Sequence, residues 1–372
     1  MRASAFLYPW DVRGDAAAPG RVADLGVQQA TLASAYHSTR AVTPRHPHHR
    51  IVTAEHAAVL YPPSEKRWAG RELRPYAAGG WARGDAFGEA ASALADAGLA
   101  VHSWVVLAHN SRLGAEHPET SVVNAYGDRY PWAPCIARPE VAAYLTDLAV
   151  EAAVRPGATG TELESCGWYG LAHLHAHDKT AGFAAGETEQ YLMSVCFCGV
   201  CREGLAEHGD GVTPEEVRAA LADSAPDAGG ALRRRTMGWR GRVARAFQER
   251  VVAAVRAAAP AGFRILLHAD PHPHRTGANT GVDAAHIAKV ADGVVVPCAG
   301  GPQGVLEPFA AAGAGVVAAN FTVVGGMGGS PATLAADASR ARALGATELR
   351  LYHAGLASTA DLAAVREALR AL

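Results

Sequence analysis

The sequence predicts a (β/α)8 barrel, a closed ring of eight parallel strands with helices packed outside it, on three observations. Short β-rich runs alternate with longer helical patterns, the order a right-handed parallel α/β fold requires. The alternation counts to eight. The turn after the first run, FLYPWDVRGD, lacks the glycine-rich phosphate loop that an open doubly wound sheet normally carries there. A barrel of this kind absorbs 372 residues as one domain, so residues 1–372 are read as a single barrel.

The predicted strands are residues 3–9, 27–36, 100–107, 159–165, 263–269, 292–297, 314–321 and 346–353, each rich in Val, Ala, Leu or aromatic residues. Helical patterns such as ATLAADASRARALG, with apolar residues three and four apart and a glycine at the end, separate the later strands. The segment TADLAAVREALRAL finishes the barrel. Three connections are long: 37–83 and 111–138, rich in His, Pro and aromatic residues, and 166–262, a helical insertion. All follow strands, so they belong on the face that carries active sites in this architecture. The glycine-rich GGMGGS at 325–330 reads as a turn before the next helix.

The composition, 49% hydrophobic and 19% charged with a net charge of −2, is that of a folded protein with a large core and no field to attract polyanions. No stretch resembles a signal peptide or approaches the about 18 apolar residues of a membrane span. The expectation is a cytoplasmic protein with no nucleic-acid or membrane partner; a homo-oligomer stays open. In that compartment six cysteines are metal ligands or buried thiols sooner than disulfides. Cys196, Cys198 and Cys201 stand as C-F-C-G-V-C, which lets three thiolates converge on one ion from a tight turn. A structural Zn²⁺ needs a fourth ligand, with Cys135 and Cys166 as the candidates.

Functional side chains of such barrels come from strand ends. In the fourth strand, T-E-L-E-S-C-G-W-Y puts Glu162 and Glu164 on one face, a costly place for two acids unless they are paired or functional. Glu164, nearer the end, is the better catalytic candidate; Glu162 is its partner or an ion-paired layer residue with Arg264 or Arg350. The fifth strand ends in L-L-H-A-D-P-H-P-H, bringing His268 and Asp270 to the mouth, and Asp270 is the candidate second carboxylate. Tyr8, Trp10, Tyr36, His37, Trp104, His109, Asn110, Trp168, Asn320 and His353 at other strand ends offer flat apolar faces beside hydrogen-bonding groups, a surface suited to sugars. His173, His175 and His177 in H-L-H-A-H-D-K, with Asp178 beside them, invite a second metal-site reading at the mouth; in a related alternative Glu164, His268 and Asp270, with or without His175, hold a divalent ion. His46, His48 and His49 make a weaker cluster of the same kind.

The order C-x-x-x-P-E-V, a helix, an acidic strand end and then C-F-C-x-x-C-R resembles the β-galactosidases of glycoside hydrolase family 42 over residues 100–205. The resemblance implies that Cys135, Cys196, Cys198 and Cys201 bind zinc and that Glu164 is catalytic. It departs at two places. That family carries Asn before the acid of strand four and a nucleophilic Glu at the end of strand seven, whereas this chain has Leu163 and, in GVVAANFTVV, Asn320 with no acid. The leading expectation is a hydrolase of a glycoside or a related polyhydroxylated small molecule, with Glu164 and Asp270 dividing the acid and the nucleophile or base roles. The alternatives are a divalent-metal-dependent isomerase, lyase or hydrolase, and a sugar-binding barrel without catalysis.

Overall fold

The computed structural model describes residues 1–372 apart from 173–177, 181–185, 209 and 223–225, and the side chains of 226–228 are likewise not described. The readings on His173, His175 and His177 therefore lie outside the described residues.

Eight parallel strands close a barrel: β1 (Arg2–Leu7), β2 (Gln29–Tyr36), β3 (Ala100–Val106), β4 (Gly160–Glu164), β5 (Arg264–Asp270), β6 (Gly293–Pro297), β7 (Val316–Thr322) and β8 (Glu348–Tyr352). Each pairs with the next, and β8 returns to β1 with Arg2 opposite Glu348. Each lies within three residues of its predicted span at either end. These strands are buried on both faces, which is why they read as continuous runs and not as alternating ones. At the narrow base of β4, Gly160 has no room for a side chain, since a Cβ there would lie 2.5 Å from His102 Nε2.

Helices cover the outside: α1 (Ala86–Asp96), α2 (Pro139–Ala153), α3 (Gly199–His208), α4 (Pro226–Ala258), α5 (Leu334–Ala343) and α6 (Thr359–Arg370), with shorter ones between. Proline opens α2 at a position that needs no N–H donor, and Val141, Leu145 and Leu148 turn inward. Glu151 in α2 is buried yet satisfied, accepting from Trp68 Nε1 at 2.7 Å and from the Ser64 amide at 2.6 Å, and so ties the 37–83 connection to the barrel wall. A capping box between Ser358 and Asp361 starts α6.

The long connections hold structure that the sequence reading left irregular. Residues Thr39–Val42 and Ile51–Ala54 form an antiparallel hairpin, and Ser121–Val123 pairs with Arg129–Pro134. Their strands are three to six residues long, too short for a periodicity to emerge. The insertion between β4 and β5 is helical, as expected: Glu187–Met193, α3, Pro214–Ala222 and the 33-residue α4, which packs along α2. Among the described residues no helix is long and apolar enough to cross a membrane.

Candidate active site

Charged side chains fill the lower half of the barrel and each has a counterpart. Glu162 and Arg350 are both 0% exposed, with Arg350 Nε 2.8 Å from Glu162 Oε1. Arg350 also reaches Glu348 at 2.9 Å, and Arg264 reaches Glu348 at 2.8 Å. Of the two arginines anticipated as partners of Glu162, the barrel uses Arg350 directly and assigns Arg264 to Glu348. Thr31 adds a hydroxyl at 3.2 Å and His102 Nδ1 lies 3.5 Å away. Against the cost of burial, the Arg350 charge and then His102 hold the Glu162 carboxyl down at about 2.

Glu164, one layer higher, is 3% exposed and, among the described residues, has no cation beside it. Its Oε2 accepts from Trp104 Nε1–H at 2.8 Å, and His268 Nδ1 stands 3.8 Å away. Burial dominates and lifts its proton affinity to about 7, with the Trp104 hydrogen bond pulling the other way. Burial also depresses His268 to about 4, so that its ring is neutral at neutral pH. Tyr36, Tyr169 and Tyr352 are held above the ordinary phenol range by burial and by the nearby Glu164 charge, so they stay protonated hydrogen-bond donors.

Aromatic residues from the other strand ends gather around this carboxyl. Tyr8 donates its hydroxyl proton to Tyr36 at 2.9 Å, lies 3.1 Å from His353 Nδ1 and stacks on Trp10 with ring centroids 4.6 Å apart. His37 stacks on Tyr36, His109 lies edge-on to His37 and stacks on Tyr169, and Tyr352 lies against both Trp104 and His353. Two non-glycine residues with left-handed backbone stand at this rim, Ser165 directly after Glu164 at φ 55° and His353 directly after Tyr352 at φ 61°. Left-handed backbone is unfavourable for a side-chain-bearing residue and recurs where a strand end must present a functional group.

The remaining anticipated residues are more dispersed. Asn320 on β7 is buried with its Oδ1 unpartnered among the described residues. Asp270, at the end of β5, binds the His272 amide at 2.8 Å and its Nδ1 at 2.7 Å, with Arg275 4.0 Å away. Asn110 caps the helix Ser111–Glu116 by accepting from the Leu113 amide. Trp168 gives its indole N–H to the Arg240 carbonyl and lies under the Arg240 guanidinium, which docks α4 on the barrel. Tyr169 and Asn279 were not anticipated. A Trp-Tyr pair four and five residues beyond the acidic strand end was the available signal for Tyr169; Asn279, beside His268, comes from the β5 loop and had none.

The four cysteines Cys135, Cys196, Cys198 and Cys201 are buried, and their sulfurs all lie within 4.8 Å of one another. Cys135 Sγ is 3.8 Å from Cys198 Sγ and 3.6 Å from Cys201 Sγ. Thiolates about 2.3 Å from a tetrahedral ion stand about 3.8 Å apart, so the set fits a metal of that geometry. The Val123 and Cys198 amides point at Cys196 Sγ at 3.5 Å, a contact that stabilises negative sulfur. Cys166 is buried but stands outside this group. The cluster brings together Cys135, directly after the strand Arg129–Pro134, and the three cysteines at the start of α3.

No protein-family profile and no curated protein sequence matches this chain. Solved structures do. An α-L-fucosidase isoenzyme 2 from Paenibacillus thiaminolyticus superposes with a TM-score of 0.60 at 12% identity, over 99% of this chain and 48% of that one. A β-galactosidase from Rahnella sp. R3 gives 0.56 at 11% identity, over 100% and 55%. A family 42 β-galactosidase from G. stearothermophilus gives 0.54 at 12%, over 100% and 56%. The chain thus spans about half the length of these glycoside hydrolases, and at such identities the likeness is one of fold, a (β/α)8 barrel.

Proposed function

We propose that the protein is a glycoside hydrolase acting on a glycoside or a related polyhydroxylated small molecule, with Glu164 as its proton donor. The observation that carries this reading is a carboxyl group, held by burial at a proton affinity of about 7, at the end of β4 among aromatic rings. Cleaving a glycosidic bond leaves an alkoxide on the departing group, and a nearby acid that keeps its proton at neutral pH can neutralise it as the bond breaks. Aromatic faces and the Tyr8, Tyr36 and His353 hydrogen-bonding edge suit a pyranose ring. The structural likeness to α-L-fucosidase and β-galactosidases supports the same class.

Asp270, on the adjacent strand end, is the proposed second carboxylate. Depending on its separation from Glu164 it attacks the anomeric carbon directly, at about 5 Å, or activates a water across a wider gap of about 6.5–9.5 Å. Its contacts with His272 and Arg275 hold it at the rim. Cys135, Cys196, Cys198 and Cys201 would hold a zinc ion, whose contribution is to brace the insertion against the barrel.

The test is hydrolysis of a panel of nitrophenyl glycosides by the wild type, Glu164→Gln and Asp270→Asn. Loss of about 10²–10⁴-fold in turnover for Glu164→Gln, with the fold retained, is expected. Unchanged hydrolysis in both variants sinks the carboxylate-pair proposal, and sugar binding with no turnover of any glycoside by the wild type replaces it with a binding barrel.

A further inference from the structure

We infer that His268 is a positioning residue that keeps Glu164 a proton donor: Glu162 fixes the imidazole N–H on Nε2, and the bare Nδ1 is thereby turned toward the Glu164 carboxyl. The catalytic consequence rests on the role proposed for Glu164, whereas the tautomer follows from geometry alone.

The imidazole of His268 is 1% exposed and spans two layers of the barrel. Its Nε2 lies 3.9 Å from Glu162 Oε2 and its Nδ1 lies 3.8 Å from Glu164 Oε2. Phe6 meets the ring edge-on at 5.6 Å and 90° and restrains its plane. A neutral imidazole has one N–H to place between these two carboxylates.

Their demands differ. Glu162 is ionised because Arg350 Nε binds its Oε1 at 2.8 Å, while among the described residues neither Glu162 Oε2 nor His268 Nε2 has a hydrogen-bond partner. An N–H on Nε2 therefore faces a permanent anion, and a lone pair there would face it with repulsion. Glu164 Oε2 already accepts the Trp104 N–H. Once the proton is on Nε2, the Nδ1 lone pair faces the Glu164 carboxyl, disfavours its anion and leaves the acid proton on Glu164. The groups facing this assembly are His102 and Trp104 from β3, Arg350 and Tyr352 from β8, Phe6 from β1, Tyr36 from β2, Tyr169 after β4 and Asn279 from the β5 loop. Among the described residues the full charges in this set lie below His268, on the side of Glu162, and the other acceptor offered to the ring, the Asn279 side chain, is neutral and so makes a weaker claim on the N–H than the Glu162 anion.

The experiment is a two-bond ¹H–¹⁵N correlation of the histidine rings in the intact protein at pH 7.5, with His268 assigned by the peak lost in His268→Asn. The expected result is a neutral Nε2–H ring in the wild type that moves toward Nδ1–H in Glu162→Gln, where the anion is gone. An Nδ1–H ring or an imidazolium in the wild type overturns the inference, as does an unchanged Nε2–H ring in folded Glu162→Gln. Should that variant fail to fold, the wild-type tautomer still decides. If Glu164→Gln hydrolyses glycosides normally while the tautomer is as expected, the catalytic assignment falls and the positioning geometry stands.

Discussion

Glu162 and Glu164 are two residues apart on one strand and on one face, equally buried, yet one is held as an anion at about 2 and the other as an acid at about 7. The desolvation cost is common to both, so the difference comes from the neighbours. Glu162 has Arg350 at 2.8 Å; Glu164 has an indole N–H and neutral rings. A barrel interior thus makes one carboxylate structural and the next chemical by withholding a single cation.

The comparison can be broken from either side. Arg350→Met leaves Glu162 buried without its cation, and a loss of about 3–5 kcal/mol in denaturant unfolding is expected, larger than for any single change at the mouth. The two carboxyls should also act oppositely on stability with pH. Glu162, depressed in the fold, contributes stability that is present above its ordinary value of 4.5 and is lost as pH falls toward about 2. Glu164, raised in the fold, is best tolerated below 4.5 and destabilises the protein as pH rises toward about 7, by roughly 3 kcal/mol in all. Unfolding measured from pH 4.5 to 8 in the wild type and in Glu164→Gln checks this: the variant should lack the decline.

Smaller effects sharpen the picture. Trp104→Phe removes the indole hydrogen bond that favours the Glu164 anion, and the basic limb of the activity profile is expected to move up by about one pH unit. At the cysteine cluster, one zinc per chain is expected by metal analysis, lost in Cys198→Ser and retained in Cys166→Ser, with a lowered melting temperature only in the former.

Much of this was legible in the chain because burial on both faces marks all eight strands, and position at a strand end marks Glu164, Trp104, His268 and His353. What such a position does not encode is the direction a side chain takes once packed. Asn110 and Trp168 sit at the same rim but cap a helix and dock α4. The pairing of Glu162 with Arg350 rather than Arg264 is decided across the barrel, between residues 188 positions apart, and leaves no local pattern. The hairpins in the 37–83 and 111–138 connections were hidden for the opposite reason, being too short to show a period.

The most direct measurement of the central claim is a ¹³C titration of the Glu164 carboxyl in glutamate-labelled protein, identified by its loss in Glu164→Gln. A midpoint near pH 7 is predicted, with the Glu162 resonance unchanged down to about pH 3. A Glu164 midpoint near the ordinary 4.5 would contradict the account, because Glu164 would then be ionised at neutral pH with no proton to donate.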